Sequence, residues 1–268
     1  MANIHPTAVI GENVTLGEDV SVGAFCVLDG KISIGSNTIL HSHVAIAGET
    51  EIGSGCEIFP FASVGHQPQD KKYAGEQSRL FIGDNCTIRE NVTINPGTSG
   101  GGMETRIGNH VLLMAGAHVA HDCQLGDHVI LVNHVALAGH VIVDEHAIVG
   151  GLSGVHQFVR IGAHSIVGAM SMVENDVIPF GSVLGNRAYL GGLNLVGLKR
   201  RNFDREEIHT LRAAYRMIFS NEGTLRERVE DAAEIFKGHE LVDLVVSFVR
   251  KPSERSICMP KNGVGSHE

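Results

Sequence analysis

The sequence predicts a parallel β-helix built from hexapeptide repeats, followed by a small α-helical domain. Three observations support this prediction. An aliphatic residue returns at every sixth position over long stretches, a small or β-branched residue lies four positions after it, and the period becomes helical after Asp204. A fixed short period is the signature of a solenoid, in which each repeat packs only on its neighbours.

The amino-acid composition agrees with a repetitive β-structure. The 268 residues include 33 glycines, no tryptophan and only 5% aromatic residues, so small and aliphatic side chains must fill the core. The net charge of -9 argues against nucleic acid as the main partner. The sequence shows neither a secretory signal nor an apolar stretch of about 20 residues, so we expect a cytoplasmic protein without stable membrane insertion.

The six-residue repeat runs through most of the chain in three stretches. Its aliphatic residues extend from Ile4 to Val64, return from Ile82 to Ile94, and continue in a new phase from Ile107 to Val173. Two inward positions per hexad describe a narrow prism with three flat sides, so three hexads form one coil. Four cysteines occupy the small inward position and are predicted to be core residues: Cys26, Cys56, Cys86 and Cys123.

Two interruptions of the repeat are predicted to be loops that leave the prism. Residues 66–79 and 96–105 are rich in polar residues, glycine or proline. Insertions on one face of a repeat protein are commonly where ligands bind. The sequence therefore predicts a β-helix with two loop insertions over residues 1–187 and a helical domain over residues 188–268.

The helical domain contains two helix-start signals and a basic run. Capping boxes are predicted at Asp204–Glu207 and Thr224–Glu227, and a third short helix is predicted over residues 240–250. The basic run "GLKRR" (residues 197–201) is expected just ahead of the first helix. Residues 253–268 are predicted to be frayed or disordered.

The sixteen histidines include a group that the repeat places together. One coil after His121 comes Gly139, and one coil further comes Gln157. The histidines near these positions are expected to form a column with His121 at one edge of the prism, or to face the same groove: His118, His140 and His156.

Two chemistries fit this column. Imidazoles from adjacent chains bind a divalent metal in the hexapeptide-repeat carbonic anhydrases, whereas in the alternative one imidazole is a general base and the others bind a polar substrate. Asp122 directly follows His121 and favours the base, because a carboxylate holds the imidazole tautomer. Other histidines are expected only to decorate outer turns: His5, His41, His110, His128, His134 and His164.

Five motifs stand in the order and spacing of the UDP-N-acetylglucosamine O-acyltransferases, the first enzymes of lipid A synthesis: "QDKKYAGE", "AHVAHDC", "LAGHV", "GVHQF" and "GLNLVGLKRR". The sequence resembles this family over essentially its whole length. The resemblance implies a left-handed β-helix, a hand that the repeat alone does not give and that the usual crossover rule opposes. It also implies a homotrimer with active sites between subunits, an acyl carrier protein thioester as donor, and no metal or other cofactor.

The resemblance further implies three catalytic residues. His121 matches the general base that removes the proton of the sugar 3-hydroxyl, and Asp122 matches the acid beside it. Gly139 matches the residue whose backbone N–H faces the developing oxyanion. The reaction implied is transfer of a 3-hydroxyacyl chain to the 3-position of UDP-N-acetylglucosamine.

Other positions match the substrate contacts of the family. Asp70 and Lys72 match sugar-nucleotide contacts, and Asn194, Arg200 and Arg201 match the region that meets uridine and phosphates, where an arginine fork suits a diphosphate. The groups that match the lining of the same cleft are His118, His140, His156 and Gln157.

Four positions bear on the choice of substrate. Ala169 stands where the family limits the length of the acyl chain, and the sequence does not fix that length. Asn95 and Pro96 stand where many relatives carry His-Arg, and Val196 stands where an acidic residue is frequent. The acceptor is therefore open between UDP-N-acetylglucosamine and its 3-amino analogue, which would give an amide.

Three further functions fit the sequence less well. The related acyltransferase that acts on the amine of a later lipid A intermediate usually carries an extra N-terminal domain, whereas this repeat begins by Ile4. A metal-dependent hydratase leaves the two loops and the "KRR" segment unexplained. A β-helical scaffold or ice-binding protein would show flat threonine ladders and would lack a helical domain with an arginine pair.

Overall fold

The structure is a computed structural model that describes residues 1–261. Residues up to Leu184 form a three-sided prism of short parallel strands, one antiparallel strand then ends at Leu193, and four helices follow. The strands are β1 (Asn3–Ile4), β2 (Val9–Ile10), β3 (Val14–Leu16), β4 (Ser21–Val22), β5 (Val27–Ile34), β6 (Ile39–Leu40), β7 (Ala45–Ile52), β8 (Glu57–Ile58), β9 (Ser63–Val64), β10 (Arg79–Ile82), β11 (Thr87–Ile88), β12 (Thr93–Ile94), β13 (Glu104–Ile107), β14 (Leu112–Leu113), β15 (His118–Val119), β16 (Gln124–Leu125), β17 (Ile130–Leu131), β18 (Ala136–Leu137), β19 (Ile142–Val143), β20 (Ile148–Val149), β21 (Gly154–Val155), β22 (Arg160–Ile161), β23 (Ile166–Val167), β24 (Met172–Val173), β25 (Gly181–Leu184) and β26 (Tyr189–Leu193). The helices are α1 (Leu195–Arg200), α2 (Arg205–Ile218), α3 (Leu225–Ile235) and α4 (Glu240–Arg250).

The three faces of the prism belong to two hydrogen-bonded sheets. One face is an 11-stranded sheet, and the other two faces join into a 15-stranded sheet because β5 and β7 run continuously round one corner. At that corner Gly30 lies directly on Gly48. A Cβ atom on Gly30 would lie 2.2 Å from the Gly48 carbonyl oxygen, so this continuous passage requires glycine.

The interior is a single column of aliphatic and small side chains, as the repeat predicts. Residues of successive coils pair directly, as Gln124 pairs with Ile142 and Ala136 with Gly154. The four cysteines assigned to the small inward position are buried and free. Burial raises the pKa of Cys123 to about 12, which keeps this thiol neutral. The predicted fold class is therefore confirmed.

Each corner of the prism turns through a residue with a left-handed backbone conformation. Asparagine, aspartate and histidine tolerate this region better than most residues, which explains why histidines recur there. We name the corners by these residues. The first corner contains Asp122, His140 and Phe158; the second contains His110, His128, His146, His164 and Phe180; the third contains His134, Leu152 and Met170.

The histidines of the second corner form a continuous stack. From His110 to His164 the ring centroids are 4.6 to 4.8 Å apart, and the stack ends on Phe180. Burial, reinforced by Arg201 and His146, lowers the pKa of His164 to about 4. His110 and His128 are exposed at this outer turn, as expected, whereas His164 is half-buried at the end of the stack.

The helical domain begins after the predicted boundary at residue 187. Strand β26 pairs with β25 in an antiparallel hairpin, so β-structure extends to Leu193. The capping boxes that start α2 and α3 and the predicted span of α4 are confirmed. The basic run lies within and just after α1, a short helix that the sequence did not predict.

The segment after α4 packs on the prism. Asp176 N donates to Ser256 O, and Cys258 N donates to Asp176 O, both at 2.8 Å. Cys258 is buried. The prediction of disorder is therefore wrong for this part, and residues 262–268 of the predicted tail lie outside the described residues. Within residues 1–261, no helix is both long and apolar enough to cross a membrane.

The depressed pKa of His164 predicts a loss of stability in acid. In the unfolded chain a histidine has a pKa of about 6.5, whereas His164 in the folded stack has a pKa of about 4. Between these two pH values the unfolded chain binds a proton at this histidine that the folded chain does not. The free energy of unfolding therefore falls as the pH drops from about 6.5 towards 4. We expect His164→Phe, which continues the stack, to show a weaker decline. Urea unfolding at several pH values measures this decline, with His5→Phe as control. An unchanged decline in His164→Phe would contradict the assignment.

Candidate active site

Both loop insertions leave the prism at the first corner. Residues 66–79 connect β9 to β10, and residues 96–105 include the connection from β12 to β13. The same two faces are joined one coil later by the turn between β15 and β16, which carries His121 and Asp122. Two large loops therefore stand directly beside the predicted base.

His121 and Asp122 form a buried pair. His121 Nδ1 lies 2.7 Å from Asp122 Oδ2. The two residues are only 7% and 4% exposed, so this contact is shielded from solvent. With Nδ1–H donated to the carboxylate, Nε2 carries the lone pair, and within residues 1–261 it has no hydrogen-bond partner. The pair is buried although it stands at a turn of the prism, because the 96–105 loop covers this turn.

The carboxylate of Asp122 also holds the 96–105 loop. Thr98 donates its backbone N–H to Oδ1 at 2.9 Å and its hydroxyl to Oδ2 at 2.6 Å. The Asp122 N–H donates to Thr105 Oγ1 at 2.8 Å. A Cβ atom on Gly101 would lie 2.1 Å from Asp122 Cγ, so the loop passes as close as glycine allows. One carboxylate thus fixes both the base and the loop above it.

Gly139 lies directly beneath the ring of His121. A Cβ atom at this position would lie 2.4 Å from His121 Cε1 and 2.6 Å from Nε2. The position must therefore be glycine, because any side chain would collide with the His121 imidazole of the preceding coil. Within the described residues the Gly139 N–H makes no hydrogen bond, so this donor is available beside the imidazole.

His140 and His118 lie near the pair. The His140 ring packs edge-on against His121 at 5.0 Å and stacks on Phe158 at 4.5 Å. His118 Nδ1 lies 2.7 Å from Thr93 Oγ1. Burial, above all, lowers the pKa of both histidines, which favours their neutral forms.

The 66–79 loop brings charged groups towards the same corner. The Asp70 carboxylate raises and the Lys72 ammonium lowers the pKa of His140, after the larger effects of burial, Asp122 and His121. Glu76 joins the two loops, because its Oε1 accepts the Ser99 N–H at 3.0 Å. This hydrogen bond is the largest of the causes that lower the pKa of Glu76 to about 2.

Two of the three positions that depart from the family pattern, Asn95 and Val196, have different surroundings. Asn95 is 6% exposed, and its Nδ2 donates to the carbonyl oxygens of His66 and Gln67 at 3.0 and 3.3 Å. Asn95 therefore ties down the base of the first loop. Val196 is 61% exposed on α1, away from these contacts.

His156 and Gln157 continue the column away from His121, and a residue of the C-terminal segment binds both. The Arg255 guanidinium contacts His156 Nδ1, and its Nε donates to Gln157 O at 2.8 Å. The turn that carries Gln157 lies next to the turn that carries Gly139, and the Phe158 N–H donates to the Gly139 carbonyl oxygen. Sequence reasoning placed Arg255 in a disordered tail and missed this contact.

Four predicted site residues lie at other corners of the same chain. Arg201 Nη2 donates to His146 O at 2.7 Å, at the second corner. Asn194 caps α1 and donates to His164 O at 2.9 Å, so its buried amide is already engaged. Arg200 is exposed on α1, and Ala169 is exposed at the third corner. A single chain therefore does not bring these residues to His121.

Three of the site residues are close enough to share a metal ion. Ligand atoms of His121, Asp122 and His140 lie within 4.8 Å of one another. Both oxygens of Asp122 already accept hydrogen bonds from Thr98, and His121 Nδ1 is engaged with Oδ2. The hydrogen bonds of this cluster thus describe an oriented imidazole more closely than an open metal site.

Thr98 and Thr105 are site residues that sequence reasoning missed. Both bind Asp122 from positions 17 to 24 residues earlier in the chain. No repeat phase relates the 96–105 loop to the corner that follows it. The only signal was the glycine-rich loop itself, which the sequence identified without naming the carboxylate that it covers.

Family models match two parts of the chain. Residues 176–258 match the second domain of UDP N-acetylglucosamine O-acyltransferase, and residues 104–139 match the bacterial transferase hexapeptide repeat. A protein of Azorhizobium caulinodans named acyl-[acyl-carrier-protein]--UDP-N-acetylglucosamine O-acyltransferase is 48% identical over 268 residues, covering 100% of this chain and 99% of its own. A Methylobacterium radiotolerans protein of the same name is 62% identical over 76% of this chain and 75% of its own.

Solved structures agree along the chain. The UDP-N-acetylglucosamine acyltransferase of Francisella novicida is 37% identical with a TM-score of 0.93, covering 97% of this chain and 95% of that one. The UDP-N-acetylglucosamine O-acyltransferase of Moraxella catarrhalis is 40% identical with a TM-score of 0.91, covering 95% and 99%. The similarity thus includes both the prism and the helical domain.

The contact between Thr98 and Asp122 predicts a stability difference between two variants. Thr98→Val keeps the shape of the side chain but removes a hydrogen bond to a buried carboxylate, which is expected to cost about 1.5–3 kcal/mol. Thr98→Ser keeps the hydroxyl and should cost clearly less. Chemical unfolding of both variants measures the difference. Equal losses would show that packing, not the hydrogen bond, anchors the loop.

Proposed function

The chain belongs to the family of acyl-[acyl-carrier-protein]–UDP-N-acetylglucosamine O-acyltransferases, and from this premise we propose that His121 is the general base of its reaction. The donor is an acyl carrier protein thioester, and the acceptor is the 3-hydroxyl of UDP-N-acetylglucosamine. The acyl group is proposed to be a 3-hydroxyacyl chain. The observation that carries the proposal is the buried hydrogen bond between His121 Nδ1 and Asp122 Oδ2.

This hydrogen bond prepares His121 to accept a proton. Because Nδ1–H points at Asp122, the lone pair on Nε2 faces the acceptor hydroxyl. As that oxygen attacks the thioester carbonyl carbon, its proton moves to Nε2. The C–O bond forms, the C–S bond breaks, and the proton passes from the imidazolium to the departing thiolate. A positioned base of this kind is worth on the order of 10²–10⁴ in rate.

The carboxylate stabilises the charge that appears on the ring. Asp122 is buried, so its attraction for the imidazolium is screened less than it would be in water. Thr98 holds both carboxylate oxygens and prevents the side chain from rotating away. We assign Asp122 the task of orienting His121 and balancing its charge.

Gly139 supports the tetrahedral intermediate in this proposal. Its N–H is unpaired within the described residues and lies beside the imidazole, where the negative oxygen would develop. A backbone donor fixed before the reaction needs no rearrangement as charge develops. Asp70, Lys72, His118, His140, His156 and Gln157 are proposed to bind the substrates around this centre.

We propose that the active site is completed by a second copy of the chain. Asn194, Arg200 and Arg201 lie at the second corner, and Ala169 lies at the third, whereas the base lies at the first. A closed threefold arrangement brings different corners of neighbouring prisms face to face. A homotrimer would thus let arginines from one protomer meet the nucleotide held near His121 of the next.

Several finer properties remain predictions from the sequence. These are the acyl-chain length set near Ala169, the absence of a cofactor, and a cytoplasmic location. The buried position of Asn95 makes it a support of the first loop and weakens its connection with acceptor choice. A product assay with both acceptors decides between the ester and the amide.

Removing the imidazole is expected to remove most of the activity. His121→Ala should lower kcat by at least about two orders of magnitude, because no other group can take the proton from that position. It should also lower the free energy of unfolding by about 1–3 kcal/mol, since Asp122 loses a hydrogen bond. Initial rates with saturating donor and acceptor measure kcat, and calorimetry with the UDP-sugar confirms that the site is intact.

His5→Ala, at an exposed position in the first coil of the prism, is the matched control and should retain normal turnover. A chelator tests the alternative metal-dependent chemistry that the cluster of His121, Asp122 and His140 allows. Unchanged activity after chelation supports the general base. Loss of activity that added zinc restores, or near-normal turnover of His121→Ala, would refute it.

A mixed assembly tests whether neighbouring chains share the site. We expect sedimentation of the parent protein to give a trimer. His121→Ala and Arg200→Ala chains should each be impaired alone, the second mainly through a raised KM because its contact is made throughout the reaction. Co-assembled chains should regain activity at interfaces that contain both native residues. A stable, active monomer, or no regain of activity, would contradict the shared site.

A further inference from the structure

A cavity lies between the prism, helix α3 and the segment that follows α4. Its apolar walls come from the helices and this segment: Leu225, Val229, Val249, Pro252 and Ile257. Five cationic side chains line the same space: Arg160, Arg226, Arg250, Lys251 and Arg255. The acyl transfer described above uses none of them. Glu230 is the one lining carboxylate among the described residues, so positive charge predominates in the cavity.

Carboxylates balance only part of this positive charge. Arg160 pairs with Asp176 at 2.7 Å, and Arg250 pairs with Glu230. In the part of the chain that the structure describes, no carboxylate lies within 4 Å of the charged groups of the remaining cations, which are Arg226, Lys251 and Arg255. The half-buried Asp144 acts on Lys251 from a greater distance, and burial raises the pKa of this carboxyl.

Arg160 gives a second, independent indication. It is 6% exposed, its Nε donates to Asp176 at 2.7 Å, and its guanidinium lies 4.4 Å from the ring centre of Phe248. Its Nη1 is buried and has no hydrogen-bond partner within residues 1–261. A buried donor without a partner destabilises the fold, and more so when it is charged, so an acceptor from outside the chain would stabilise this position.

We propose that this cavity is an anion-binding site that takes a phosphate group. Guanidinium groups match the oxygens of a phosphate with paired hydrogen bonds. Here Arg226 and Arg255 have no carboxylate partner among the described residues, and Arg160 has a free N–H. The hydroxyls of Ser253 and Ser256 line the same space and add neutral donors. The apolar walls lower the local dielectric and strengthen the attraction.

The cavity adjoins the column of the first corner through one residue. Arg255 lines the cavity and also contacts His156 and Gln157 O. The phosphate therefore has two possible sources. It is either free in solution or the phosphodiester on the thiol-bearing arm of the donor carrier protein. Only the second source rests on the proposed function.

Calorimetric titration of the full chain with inorganic phosphate tests the site. Chloride replaces phosphate at constant ionic strength as the reference. We expect saturable binding of one phosphate per chain. The double variant Arg226→Gln/Lys251→Gln should weaken it at least ten-fold, and both side chains are exposed, so the fold should persist. Arg212→Gln, an exposed arginine of α2 outside the cavity, is the matched control and should bind as the parent does.

Thermal unfolding gives a second readout. Phosphate stabilises proteins in general by exclusion from their surface, an effect that all variants share. Binding to the folded state adds a rise in Tm, which the parent and Arg212→Gln should show and the double variant should lack. No saturable binding, or equal weakening in Arg212→Gln, would overturn the proposal.

Pantetheine 4′-phosphate distinguishes the two sources. Binding at least ten-fold tighter than inorganic phosphate, with the same loss in the double variant, supports the carrier-protein arm. Equal affinity for both probes supports free phosphate. Neither titration contains an acyl donor or requires turnover. A failure of the general-base proposal at His121 therefore leaves these outcomes unchanged, and a failure here leaves that proposal unchanged.

Discussion

A closed three-sided coil requires a sharp turn at each corner, and this requirement governs the rest of the structure. The turn places one residue per corner in the left-handed region, as at Asp122 and His140, where most side chains are disfavoured by roughly 1 kcal/mol. The strands between corners are short, so their inward residues alone fill the core. Residues at equal positions in successive coils then lie directly over one another, and every corner becomes a column.

The columns explain why the corners differ chemically although their backbones are alike. At the second corner, histidines stack face to face and end on Phe180, so the imidazoles serve the packing of the prism. At the first corner, an aspartate takes the place of the stacked ring and turns the neighbouring His121 edge-on to His140. The same residue type is therefore structural at one edge and available for proton transfer at another, and the difference comes from a single neighbour.

Asp122 connects the site to the architecture. Its backbone occupies the corner, its N–H holds the start of β13 through Thr105, and its carboxylate holds His121 and the loop at Thr98. A buried carboxylate is costly unless each oxygen has donors, and here both oxygens have them. This arrangement couples the orientation of the base to the closed position of the loop. It also makes the loop part of the wall that shields the pair from water.

The sequence alone determined the prism, the position of both loops, the capped starts of α2 and α3, and the column that contains His121 and Gly139, because a repeat with fixed spacing converts sequence position directly into height and face. The motif resemblance added the hand of the helix, the acyl carrier protein donor and a UDP-sugar as the class of acceptor. The tertiary structure decided what spacing does not encode. It showed that both loops leave the corner of His121, that Thr98 binds Asp122, that Arg255 returns from the C-terminal segment to His156, and that Arg201 lies at a different corner from the base. These contacts join residues whose separation is unrelated to the repeat, so only the folded chain could reveal them.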